Sequence, residues 1–167
     1  MKTFFVTIMI AAFLLLNSNG ITAQTNVTKL NQIELFKQWT GNWIAEIGSD
    51  TTFLMECKSF HNGYEFYLKI ETKGNIMWEQ KTLMGYDKKS DKLIESTIAS
   101  SSPDIILMAC WFTSANKCEE VLLEDVSNYE KANLKWEFEF KSPDLLIWTE
   151  IVNNKAANAY TFNRDKK

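Results

Sequence analysis

From Trp43 onward the chain alternates apolar and polar residues with a period of two, broken at short intervals by turn-forming residues. The alternation is clearest in "YEFYLKIET", where Phe66, Leu68 and Ile70 oppose Glu65, Lys69 and Glu71. In "LKWEFEFK", Trp136, Phe138 and Phe140 likewise oppose Lys135, Glu137, Glu139 and Lys141. Successive side chains of a strand point to opposite faces, so each segment has one buried face and one wet face. Strands are expected near 42–47, 51–60, 64–72, 75–86, 91–99, 104–113, 118–126, 133–141, 145–152 and 159–164. The breaks "HNG", "KGN", "DKKSD", "SSPD", "SAN" and "KSPD" consist of residues that accept or impose turn geometry. Ten sequential strands joined by tight turns predict an all-β antiparallel meander, and closure into an up-and-down barrel removes its exposed edges.

Ahead of the strands, "NVTKLNQIELFKQW" changes period: Val27, Leu30, Ile33 and Phe36 fall at helical spacing, with Asn26 or Thr28 available as the N-cap. One short N-terminal helix follows from this. Asn26-Val27-Thr28 also matches a glycosylation acceptor, which matters only in a eukaryotic secretory pathway, and a plain cap is the simpler account.

The first 23 residues have the form of an export signal: Lys2, an apolar run over 4–16, and the small-residue site "ITA" before Gln24. The run is too short to span a bilayer comfortably. The expected product is a periplasmic or secreted single domain, 24–167, without an integral membrane segment after cleavage. Those roughly 144 residues are enough to bury about two-thirds of the unfolded surface. Loss of Lys2 moves the formal charge from −3 to −4, with lysines and glutamates scattered, so nucleic acid is excluded as a partner class.

All three cysteines, Cys57, Cys110 and Cys118, lie after the signal. If "CWFTSANKC" reverses around Ser114, Cys110 and Cys118 face each other across a hairpin and form a disulfide, with Cys57 left over. Three unbridged buried thiols are the alternative.

A short helix, "TGNW" opening the first strand and a long meander resemble the lipocalin-like (calycin) barrels, whose first strand begins with Gly-x-Trp. "LFKQWTGNWIAEI", "HNGYEFYLKI" and "LMGYDKKSDKLIESTI" are similar to the small exported lipocalin-like proteins of the DUF1579 type. The resemblance implies that an arginine near the end of the last strand packs on the first-strand tryptophan. Arg164, the only arginine among 18 basic residues, is at that place in "YTFNR". Gly41 would then allow close backbone approach, Trp43 would plug the closed end and Arg164 would cover it.

Catalytic signatures are missing from the sequence: there is no phosphate-binding glycine loop, nucleophile elbow, Cys-x-x-Cys or His-Glu-x-x-His. The single histidine, His61, falls in a turn, and with Cys57 it supplies too few ligands for zinc. Haem is disfavoured because related haem-binding barrels take a histidine from late strands. No cofactor or metal is expected. Glu119 with Glu120 and Glu124 with Asp125 are adjacent on one expected strand and point to opposite faces, so neither is a dyad. Glu120 and Glu124 share a face and are expected to be wet.

The same alternation gives the expected lining. Trp78, Gln80, Thr82, Met84 and Tyr86 oppose Glu79 and Lys81, while Phe53, Met55 and Cys57 oppose Glu56 and Lys58. Together with Phe66, Trp136 and Phe138 they make an aromatic interior with a few polar groups, suited to a small hydrophobic or amphipathic ligand. Phe66, Trp78, Tyr86, Trp136 and Phe138 are the expected apolar contacts, and Gln80 or Thr82 the orienting hydrogen bond. The same residues would serve a filled barrel that recognises a protein partner through its loops, "ASSSPD" and "VSNYEKAN". A barrel cyclase or isomerase is the third reading, marked by a buried carboxylate or tyrosine in an apolar lumen.

Overall fold

The computed structural model describes residues 29–166, so the export signal and the Asn26 acceptor lie outside the described residues. Ten strands follow one another: β1 (Gly41–Gly48), β2 (Thr51–Phe60), β3 (Gly63–Thr72), β4 (Asn75–Asp87), β5 (Lys92–Ala99), β6 (Ser102–Phe112), β7 (Lys117–Leu122), β8 (Leu134–Ser142), β9 (Leu145–Val152) and β10 (Lys155–Asp165). Each pairs antiparallel with its neighbours in sequence, and β1 pairs with β10 to close the barrel. The all-β, ten-stranded barrel expected from the alternation is the observed fold.

Two strand boundaries depart from expectation. β7 stops at Leu122, and Leu123–Lys131 forms a 3-10 segment instead of more strand. Its Asp125, Ser127 and Asn128 belong to residue types that hydrogen-bond nearby backbone and compete with a ladder. β10 starts at Lys155, where "KAANA" carries no bulky apolar side chain to reveal alternation but pairs with β9 through Lys155–Val152 and Ala156–Ile151.

The N-terminal helix is shorter than its periodicity suggested. Helix α1 (Gln32–Phe36) runs into a 3-10 turn, Lys37–Trp39, and Asn31 is the N-cap, accepting from the Glu34 amide at 3.2 Å. Asn26 and Thr28, the expected caps, lie outside the described residues. Ile33 points outward, 42% exposed, while Gln32 and Phe36 are buried. Gln32 fixes that orientation: its Nε2 donates to the Phe112 carbonyl at 3.1 Å and its Oε1 accepts from the Phe112 amide at 2.7 Å. The helix is thereby fastened to the end of β6. Phe36 enters the barrel and meets Tyr64, Phe66 and Phe112 at ring separations of 4.8, 5.9 and 6.4 Å.

Beside the helix, the Arg164 guanidinium lies 4.0 Å from the centre of the Trp43 ring. Trp43 is 1% exposed and donates from Nε1 to the Trp39 carbonyl at 2.8 Å. Gly41 has φ +124°, and a Cβ there would lie 2.6 Å from Arg164 Nη1. Both the conformation and the close approach require glycine. Gly41, Trp43 and Arg164 therefore meet at the helix-capped end.

Candidate functional site

Aromatic side chains fill the helix-capped half of the barrel. The rest of the interior holds a partly open cavity of about 470 Å³. Of the expected ligand contacts, Phe66, Trp78, Gln80, Thr82, Trp136 and Phe138 all line it. Tyr86 does not. Met84 pairs with Tyr64, which touches Phe36, and Tyr86 lies two residues further toward the helix-capped rim. There its hydroxyl donates to Asp91, which also meets Lys29 Nζ at 3.1 Å.

The polar groups expected to orient a ligand are partly satisfied by each other. The hydroxyls of Thr82 and Thr97 lie 2.6 Å apart, and Gln80 Nε2 donates to Thr82 at 3.4 Å. Trp148 and Tyr160 complete the aromatic wall; Trp148 lies 5.2 Å from Phe53 and 5.2 Å from Phe138. Tyr160 follows the alternation of Tyr160 and Phe162 against Thr161 and Asn163 on β10, whereas β9 carries apolar residues on both faces and its alternation does not reveal Trp148.

The largest departure from expectation is a pair of carboxyls inside the barrel. Glu95 is 4% exposed and lines the cavity with Glu120. A Glu95 oxygen, a Glu120 oxygen and the Cys110 sulfur lie within 4.8 Å of one another. Glu120 is thus a lumen residue rather than part of a wet outer face, and Glu124 is not on β7 but in the following 3-10 segment. Glu119 points outward, away from the pair. The partner of Glu120 comes from β5, two strands away, rather than from its own strand.

Register explains why the pair was missed. In "KLIESTIA", Leu93 and Ala99 share one face with Glu95 and Thr97, while Ile94 and Ile98 share the other with Ser96. Both faces carry apolar residues, so periodicity alone does not choose. Cross-strand partners share a face, and Glu95 pairs with the inward Met84 and Met108. That turns Glu95 inward and leaves Ile98 56% exposed.

Electrostatics follow from burial. Desolvation pushes the Glu95 carboxyl well above the usual carboxylate range, reinforced by the neighbouring Glu120 and Cys110. Desolvation also raises Glu120, and its hydrogen bond with Glu95 opposes that rise. Burial pushes up the thiols of Cys57, Cys110 and Cys118 as well. His61 lies in the turn between β2 and β3, remote from this chemistry, with its ring 5.1 Å from that of Phe60.

No family model and no curated protein matches the chain.

Cys110 and Cys118 are free and buried, with their sulfurs 2.7 Å apart. Phe112 pairs with Cys118 and Cys110 with Glu120, making the cysteines diagonal neighbours rather than direct opposites. The reversal is centred on Ala115 rather than Ser114. They nevertheless share the inner face, and mild oxidation is expected to join them. Mass spectrometry should then show loss of two hydrogens, with Cys57 alone reacting with a thiol reagent after denaturation. Three reactive thiols would contradict the pairing.

Proposed function

We propose that the chain is an exported, lipocalin-like carrier that holds a small hydrophobic or amphipathic molecule in the barrel lumen. One observation carries this reading. Three buried side-chain polar atoms have no hydrogen-bond partner among the described residues: Trp39 Nε1, Glu95 Oε1 and Trp148 Nε1. All three residues line the same cavity. Buried polar atoms without partners are rare and costly, and their convergence on one partly open cavity supports its use for receiving the polar groups of a ligand. The aromatic wall supplies the apolar contact. A barrel used only as a rigid support for its loops would gain from filling this space and removing those groups.

The test is a fluorescence titration with N-phenylnaphthylamine, an uncharged apolar dye that brightens out of water. Saturable one-to-one binding with a dissociation constant on the order of micromolar is expected. Ile106 lines the cavity from β6 and is partly buried, so Ile106→Trp places an indole in the space and should weaken the dye about tenfold. Failure of the dye to saturate, or equal binding by a folded Ile106→Trp variant, would count against the lumen as the site.

A further inference from the structure

The lumen carries charge of one sign only. Among the described residues three carboxyls line it, those of Glu95, Glu120 and Glu150, and no lysine, arginine or histidine does. Glu95 Oε1 has no partner although the residue is 4% exposed. The carboxyls are also placed around an indole. Along one row of cross-strand pairs, Glu120 is opposite Trp136, and Trp136 is opposite Glu150. Trp136 thus has a carboxyl on either side, and Glu150 is held in place by Asn158, whose Nδ2 donates to it at 2.6 Å.

An uncompensated carboxyl pair, with Glu95 buried and Glu120 partly buried in a mainly apolar lumen, is costly, and an anionic ligand would make it worse. A neutral apolar ligand would leave Glu95 Oε1 unpartnered. A cation with hydrogen-bond donors satisfies both the charge and the orphaned oxygen, and an indole face attracts such a cation further.

We propose that Glu95 and Glu120, with Trp136 and Glu150 beside them, form a subsite for the protonated amine of a ligand whose apolar body fills the aromatic part of the lumen. This rests on the lumen being the binding site and specifies the class of molecule it takes. The ammonium donates to Glu95 and Glu120, and one proton that the carboxyl pair holds in the free protein passes to solvent as the amine binds. The other titratable groups facing the pair are Cys57, Cys110, Cys118, Glu150 and Tyr160, none of them basic. The cluster with Cys110 has donors for a metal ion as well. Its thiol is buried and protonated, whereas the flanking indole has no role for a metal and a direct one for an ammonium.

The experiment is calorimetric titration of the whole chain with 4-phenylbutylamine, 4-phenylbutanol and 4-phenylbutyrate, which share one apolar body and differ in the head. At about pH 7 the amine is expected to bind about tenfold more tightly than the alcohol, and the acid more weakly than both. Repeating the titration in buffers of different ionisation enthalpy should show protons released by the amine and none by the alcohol. In the E95Q/E120Q variant the amine should fall to the level of the alcohol. Proton release by the wild type keeps the test decisive if that variant does not fold. Equal binding of amine and alcohol overturns the amine subsite while leaving the lumen intact as a binding site. A one-to-one zinc complex that excludes the amine also overturns it, assigning the cluster to a metal. Binding by none of the three compounds removes the lumen reading and the subsite with it.

Discussion

Replacing Arg164 with alanine is expected to lower the unfolding free energy by about 3 kcal/mol, one of the largest single-residue effects in the molecule. Its guanidinium joins three separate pieces of chain. Nε donates to the Pro143 carbonyl at 2.8 Å, Nη2 to the Gln38 carbonyl at 2.9 Å and Nη1 to the Thr40 carbonyl. The first belongs to the turn between β8 and β9, and the other two to the segment entering β1. The same group stacks on Trp43 at 4.0 Å, across the β1–β10 seam where the barrel closes. Truncation removes three charge-assisted bonds and the stack on Trp43 together, and leaves the part-buried Gln38 carbonyl without its donor. The ion pair with Asp144, at 3.7 Å and with Asp144 half exposed, adds little.

The loss should appear as a fall in melting temperature of roughly 10 °C by circular dichroism. Arg164→Lys should recover less than half of it, because a single ammonium cannot serve three divergent carbonyls from one position. Full recovery by lysine would show that charge rather than the planar fork is what the site uses. Gly41→Ala should be destabilising in the wild type by a comparable amount, since its Cβ would meet Nη1 at 2.6 Å. In the Arg164→Ala background its effect should shrink but not vanish, because the positive φ remains.

The second large effect has the opposite sign. Glu95→Met is expected to stabilise the ligand-free protein by about 2 kcal/mol at neutral pH, since a buried carboxyl with one unpartnered oxygen is replaced by a side chain of similar length that suits Met84 and Met108. The gain should depend on pH. Because the folded-state affinity of Glu95 for its proton is raised, the folded chain holds more protons than the unfolded one above the ordinary carboxyl value of 4.5. Wild-type stability therefore falls as pH rises from that value through the range in which the buried pair titrates. Glu95→Met should show little advantage below about pH 4.5 and its full advantage once the pair would be ionised. Urea denaturation at several pH values measures this. Constant stability of the wild type across the range, or a variant less stable at neutral pH, would show that Glu95 is satisfied in the free protein. A residue retained at a cost to the fold is what a binding group looks like.

The sequence made the frame legible because strands that bury one face advertise it. The faces of β3 and β8 were clear from Phe66, Leu68 and Ile70 and from Trp136, Phe138 and Phe140, and closure followed from the need to cover edges. Gly41, Trp43 and Arg164 were placed together through a resemblance rather than through periodicity. The polar half of the site was hidden for two physical reasons. On β5 the isoleucines lie outside and Glu95 inside, a reversal dictated by register with Met84. On β7 a strand assumed to continue through Glu124 ends at Leu122, so Glu120 was grouped with the wrong neighbour. The cysteine hairpin turns one residue later than expected, which shifts the pairing by two and makes direct partners diagonal ones on the same face.

The most direct test is native mass spectrometry of the chain purified from its own host, followed by extraction under denaturing conditions. The account predicts a complex of one chain with one small molecule, the added mass disappearing on denaturation and recovered as a largely apolar compound. A bare chain mass, unchanged after challenge with a panel of lipids and hydrophobic amines, would contradict it.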